Sequence, residues 1–258
     1  MAKRIIIKRE KRAYVEELKR EVTLSGFEKY YVDPAKDFHM KHGIIKKEDL
    51  QKKAGSVIKQ GNNEFIIFDA DFIDDYKRMK RSAQIITLKD IGAIIVNTGI
   101  TRDSKVLDAG AGSGALACYI GMIAKKVVSY DIDERGLEVA SENVKNLCLK
   151  NVVIKKGDVY DAKQIIEKDF DVFVLDVPQP WKAVETAKKV LRVGGFLAIY
   201  LPNISQMQEF VKGLSDDFLI ENTIEVIERE WAVDAKRTRP ATKDFGHTAF
   251  LTFVRRIK

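Results

Sequence analysis

The stretch Asp108-Ala109-Gly110-Ala111-Gly112-Ser113-Gly114 decides how this chain is read. It follows the short apolar run Val106-Leu107 and leads into 113–124, a helical pattern that begins in small residues. Glycines at this spacing let the chain turn sharply and leave bare backbone for a ligand to lie against, where a helix begins. With Ala115 the run also satisfies the G-x-G-x-x-G/A pattern of dinucleotide-binding folds, and a purely structural turn is a third reading.

Outward from this loop the pattern alternates. Strands are expected at 127–130, 152–154, 172–175 and 196–200, with Gly194-Gly195 turning into the last of these. Helices are expected at 134–147, near 161–167, at 181–191 and at 204–213. Repeated β-α units of this length imply an α/β fold, a parallel sheet with helices on both faces. The C-terminal part differs. Residues 220–227 and 248–254 are strand-like with no long helix between them, so an antiparallel pair should close the sheet. Upstream, helical patterns cover 72–80 and 89–98. Residues 1–71 hold apolar runs, Ile5-Ile6-Ile7 and Phe65-Ile66-Ile67-Phe68, between charged stretches; they read as a small β-rich domain ahead of a larger one over 72–258.

Charge separates the same two regions. Residues 1–60 carry 16 Lys and Arg against 9 Asp and Glu, whereas the remainder holds 29 of each sign. The excess lies in runs such as Lys8-Arg9-Glu10-Lys11-Arg12 and Lys46-Lys47, as expected of a polyanion-facing appendage on a balanced core; a lysine-rich solvated surface is the plainer alternative. No apolar stretch approaches a membrane span, and Met1 to Arg12 lacks a secretory pattern, so a cytoplasmic protein without a membrane role is expected. Cys118 and Cys148 make neither a zinc site nor a disulfide framework; two buried thiols are expected, a single disulfide being the alternative. No metal is expected.

Two acids refine the ligand. Asp131 ends the second strand, where a carboxylate accepts hydrogen bonds from ribose hydroxyls, a device that NAD sites share. Asp158 follows Gly157 after the third strand, placed either for an adenine amino group or as a helix cap. The antiparallel closing pair separates the possibilities: it is the topology of class I methyltransferases, whose Rossmann-like sheet binds S-adenosylmethionine. The fourth strand ends in Asp176-Val177-Pro178-Gln179-Pro180-Trp181. Ligands in open α/β sheets bind outside the carboxyl ends of strands, so Asp176 should face the cleft, on a loop stiffened by two prolines; a capping Asp is the alternative.

This D-x-P-x-P-W segment, behind D-x-G-x-G-S-G, resembles the tRNA (adenine-N1)-methyltransferases that modify position 58 of the T-loop, and 57 as well in some archaeal members. Gln84-Ile85-Ile86-Thr87-Leu88-Lys89-Asp90 is similar to their Q-I-x-x-P-K-D segment. Arg229-Glu230-Trp231, Arg239-Pro240 and Gly246-His247-Thr248-Ala249-Phe250-Leu251 are similar to their C-terminal pattern, and Tyr200-x-Pro202-x-x-x-Gln206 to their Y-x-P-x-x-x-Q. The resemblance spans residue 76 onward. It implies that Gln84, Asp108, Gly110, Gly112, Ser113, Gly114, Asp131 and Asp158 hold the cofactor. It further implies a catalytic role for Asp176, Tyr200 as a platform for the base, His247 and Thr87 at the substrate, and a homotetramer. Thr87 stands where the family often has an aromatic residue or His, which puts stacking on that side in doubt. Arg237 and Arg239 are candidates for phosphate contacts or solvated side chains. Two rivals remain from the sequence: a methyltransferase for a small molecule or protein, and a non-catalytic tRNA-binding subunit. The second should have lost the glycine loop or Asp176, and both are present.

Overall fold

The computed structural model describes residues 2–82, 84–233, 238–242 and 246–258. Two compact units result, Met1–Arg78 and Met79–Lys258. In the first, the strand Arg4–Lys8 pairs antiparallel with Glu28–Val32 on one side and Asn63–Asp69 on the other; the latter also pairs with Val57–Gln60. Alternation along these strands gathers Ile6, Val32, Ile58, Phe65 and Ile67 into one core with Ile45 and Leu50. The division falls after Arg78 rather than at 71/72, because the short helix Phe72–Tyr76 is tied to the strand Glu28–Val32. Lys29 pairs with Asp74 at 2.6 Å, and the Tyr31 hydroxyl donates to Asp75 at 2.6 Å. Lys8, part of the basic run, is buried and paired with Glu28, so it belongs to this unit's interior and not to its surface.

The second unit is built on a seven-stranded sheet. Its strands are β1 (Lys105–Ala109), β2 (Lys126–Asp131), β3 (Val152–Lys156), β4 (Phe170–Leu175), β5 (Leu191–Leu201), β6 (Phe218–Glu225) and β7 (Phe250–Arg256). The order is β3-β2-β1-β4-β5-β7-β6, with β1 to β5 parallel and β7 antiparallel to both its neighbours. This is the class I methyltransferase fold, with the antiparallel pair at the C-terminal edge of the sheet. The helices that bear on the site are α1 (Leu88–Thr98), α2 (Ala115–Gly121), α3 (Glu134–Asn146), α4 (Val184–Val190) and α5 (Ile204–Lys212).

Local chemistry shifts several boundaries. No helix forms near 161–167. Asp158 Oδ1 accepts from the Tyr160 N–H (2.8 Å) and Asp161 Oδ1 from the Lys163 N–H (3.0 Å), so side-chain turns take the place of a helical ladder. Lys189 Nζ then holds the carbonyls of Ala162 and Ile165. The helix expected over 181–191 is a 3-10 turn, Pro180–Ala183, followed by α4, and β5 starts directly at Leu191 and runs through Gly194-Gly195. Cys118 is buried but Cys148 is exposed at the end of α3, and both are free thiols, which corrects the expectation of two buried ones and excludes the disulfide.

Packing of α3 sets the glycine loop in place. Gly114 (φ +74°) has room only for hydrogen on that side, since a Cβ there would lie 3.0 Å from the Cβ of Ala140. One turn further on, buried Asn143 donates to the carbonyls of Ser113 and Lys80, both at 2.9 Å, and accepts from the Lys80 N–H at 3.0 Å. Asn143 therefore clamps the loop from below. Asn143→Ala should lower unfolding free energy by about 2–3 kcal/mol, the cost of leaving buried peptide groups without partners, as read from urea denaturation.

Candidate active site

Parallel strands bring their carboxyl ends to one edge, and there a cavity of about 730 Å3 opens. Gln84, Gly110, Gly112, Asp131, Asp158, Asp176 and Tyr200, all singled out from the sequence, line it. Five segments contribute: the one before α1, and the loops after β1, β2, β3 and β4, with the end of β5 closing the wall.

Backbone hydrogen bonds lock the loops together. The Asp176 N–H donates to Ala109 O at 2.6 Å and the Gly110 N–H to Asp176 O at 3.3 Å, so the ends of β1 and β4 are stitched side by side. Asp131 does the same across β1 and β2. Its Oδ2 accepts from the Gly112 N–H at 2.8 Å, and its Oδ1 from the N–H groups of Ile132 (2.8 Å) and Asp133 (3.0 Å). A Cβ at Gly110 would stand 3.2 Å from that Oδ2, which explains glycine at this position. Gly112 takes φ +51°, a left-handed conformation that β-branched residues avoid.

Carboxylates crowd one side of the cavity. Burial pushes the Asp176 carboxyl up to about 6, with the nearby Asp131 charge adding to the effect. Asp108 lies beneath the floor rather than in the wall. It is fully buried, accepts from the Ser129 hydroxyl at 2.5 Å, and its other oxygen has no partner. Burial raises it to about 7, Ser129 opposes the shift, and Asp176 and Asp131 reinforce it. A site with this sign of charge favours a ligand with a cationic centre.

Five of the residues named from sequence stand outside the cavity lining. Asp108 supports the floor. The Ser113 hydroxyl accepts from the Ser82 N–H at 2.8 Å, so it faces the segment before α1. Gly114 packs on α3. Thr87 precedes α1 and spends its hydroxyl on Asp90 at 2.9 Å. His247 bridges Glu225, Nδ1 to Oε1 at 2.5 Å, and the carbonyl of Pro202, 2.8 Å from Nε2. Its pKa is raised, by the Glu225 carboxylate first and the Pro202 carbonyl second, so it braces the cavity wall through Pro202. Arg239 lies in the strand Thr238–Pro240, which pairs antiparallel with Trp231–Val233, and Arg237 falls outside the described residues.

Other lining residues carried weak sequence signals. Ile132 is 65% exposed directly after Asp131, an apolar side chain left open to the cavity. Tyr160, two residues beyond Asp158, accepts from the Gln179 N–H at 3.1 Å and so joins the loop after β3 to the one that carries Asp176. Among the described residues, no group of three or more His, Cys, Asp or Glu is placed to hold a metal ion, and no helix is long and apolar enough to cross a membrane.

Comparison with known proteins agrees with this geometry. The chain is 35% identical over 244 residues to the tRNA (adenine(57)-N(1)/adenine(58)-N(1))-methyltransferase TrmI of Methanocaldococcus jannaschii, covering 83% of this chain and 86% of that one. It is 33% identical over 228 residues to the tRNA (adenine(58)-N(1))-methyltransferase TrmI of Thermus thermophilus, covering 86% and 89%. A SAM-dependent O-methyltransferase from Thermotoga maritima superposes with a TM-score of 0.80 at 26% identity, over 99% of this chain and 93% of the other. Aquifex aeolicus TrmI, a tRNA (m1A58) methyltransferase, gives 0.78 at 24% identity, covering 99% and 97%, and speaks to the fold. Residues 77–238 match the family described as tRNA methyltransferase complex GCD14 subunit, and the chain belongs to that family of class I methyltransferases.

Proposed function

We propose that this protein transfers a methyl group from S-adenosylmethionine to N1 of adenine 58 in the T-loop of tRNA, the activity named for its relatives. One observation carries the reading: a single cavity joins the glycine loop, Asp131 and Asp158 to Asp176 and Tyr200. The residues suit the cofactor. Gly110 and Gly112 leave backbone bare, Asp131 retains acceptor capacity for ribose, and Asp158 for an adenine amino group, while the acidic wall suits a sulfonium. S-adenosylmethionine, when bound, supplies an electrophilic methyl group. Adenine N1 already has a lone pair and needs no base to attack it.

The protein's task is electrostatic. Positive charge grows on the purine as N1 becomes methylated, and Asp176 answers it by accepting a hydrogen bond from the exocyclic N6 amino group. Tyr200 offers a face on which the base, drawn out of its loop, can stack. The basic surface of residues 1–60, without Lys8, supplies contacts to the tRNA backbone. A homotetramer acting in the cytoplasm completes the reading, and light scattering on the purified protein tests the assembly. Nucleoside mass spectrometry of unmodified tRNA incubated with the protein and S-adenosylmethionine should detect 1-methyladenosine, and mapping its position tells 58 alone from 57 and 58.

Calorimetry should find no S-adenosylmethionine binding to Gly112→Val, because a β-branched residue strains the left-handed backbone and enters the ligand's space; unchanged affinity would remove the loop from the site. Asp176→Asn should lower single-turnover methyl transfer at saturating cofactor by about a hundredfold or more, a far larger effect than its loss of cofactor affinity. The same carboxyl must be ionised to act, so kcat/KM for the cofactor should decline as pH falls through about 6, and the Asn variant should lack that limb. Replacing Arg9 and Lys11 by Ala should reduce the log–log salt slope of tRNA binding by roughly two; an unchanged slope would leave these charges as a solubility feature.

A further inference from the structure

Two sequence segments that the reaction does not use, Lys89-Asp90 and Thr248, meet in the interior beside Tyr200. Asp90 is fully buried. Its Oδ2 accepts from the hydroxyls of Thr248 (2.7 Å) and Thr87 (2.9 Å), and Tyr200 reaches the same oxygen at 3.5 Å. Its Oδ1 takes the Lys89 ammonium at 2.8 Å. Lys89, 8% exposed, also donates to the Thr248 hydroxyl and to the carbonyl of Val226, both at 2.6 Å. Burial, with the charges of Asp90 and Asp176, pushes the pKa of the Tyr200 hydroxyl upward, so it stays a neutral donor.

This cluster joins the start of α1, the end of β5, the segment after β6 and the segment before β7. An ion pair in the interior costs more in desolvation than a hydrocarbon core of the same size, so it marks a place where geometry is being fixed. The side chain that it fixes and that also lines the cavity is Tyr200. We infer that Asp90, held by Lys89 and working with Thr248, is a positioning unit that pins the Tyr200 hydroxyl and thereby sets the plane of the ring against which the target base is held. The inference rests on Tyr200 being the base platform of the proposed reaction. Thr87 completes the cluster with its hydroxyl, which gives that position a structural purpose in place of the aromatic contact it does not supply.

The test separates hydrogen bonding from packing at Thr248. Thr248→Val keeps the shape and loses the hydroxyl; Thr248→Ser keeps the hydroxyl and loses a methyl group. Single-turnover methyl transfer at saturating S-adenosylmethionine, with tRNA varied, should fall about tenfold or more for Thr248→Val, the size expected when a hydrogen bond to a carboxylate is lost. Thr248→Ser should stay near the wild-type rate, and cofactor affinity should be unchanged in both. Tyr200→Phe should show a similar loss, and the double variant Thr248→Val with Tyr200→Phe should be no slower than the slower single one, since both act through the one Asp90 oxygen. A rate for Thr248→Val at the wild-type level, a Ser variant worse than the Val variant, or losses that multiply in the double variant would each overturn the inference. These outcomes leave Asp176 untouched: if Asp176→Asn is impaired while the Thr248 and Tyr200 variants are not, the proposed reaction stands and the positioning unit falls. A wild-type protein that transfers no methyl group to tRNA overturns both.

Discussion

Close approach of backbone to backbone at the carboxyl edge of the sheet is the constraint on which the rest depends. The ends of β1 and β4 touch through Ala109, Gly110 and Asp176, and the Asp131 carboxylate draws the Gly112 N–H toward the end of β2. A Cβ at Gly110 would crowd Asp131 Oδ2 at 3.2 Å, and one at Gly114 would crowd the Cβ of Ala140 in α3 at 3.0 Å. The same residues therefore close the fold and empty the space in front of it. A cavity results because the backbone is too near itself for side chains to fill it.

Charge follows from that geometry. Strand ends that converge bring their terminal acids with them, so Asp108, Asp131 and Asp176 influence one another in a partly dry place. The Asp131 charge raises the cost of ionising Asp176, and both raise it for Asp108, a cost that a cation within the cavity lowers. In the proposed reaction, an arrangement that would be a liability in a plain core becomes an attraction for a sulfonium, and afterwards for a purine acquiring positive charge. The opposite wall balances its charge internally: Lys89 neutralises Asp90 below Tyr200, and His247 pairs with Glu225 behind Pro202. The acidic field is thus concentrated at the cavity.

Much of this was legible in the sequence, and particular residues show why. Strand and helix order, the antiparallel closing pair and the glycine loop follow from periodicity and turn chemistry; the rule that ligands meet the carboxyl ends of parallel strands points to Asp131, Asp176 and, against a helix cap, Asp158, whereas Tyr200 came from the family resemblance. Misreadings occurred where local bonding competes with periodicity. Asp158 and Asp161 turn the chain with their own carboxylates where a helix was expected near 161–167. Lys8 looked like surface charge because a run of basic residues carries no sign of which one points inward.

By itself the sequence determined the architecture and the chemistry on offer, because both are written in local properties: alternation, glycine spacing, and acids at strand ends. Only the tertiary structure decided which of those residues share a wall. Ser113, Gly114 and Thr87 lie beside or near cavity residues in the chain yet face Ser82, α3 and Asp90, and His247 spends its ring on the Glu225–Pro202 pair. Asp90 and Thr248, 158 positions apart, meet at 2.7 Å. Side-chain direction and long-range pairing are settled by packing between elements, and no short window of sequence contains both Asp90 and Thr248.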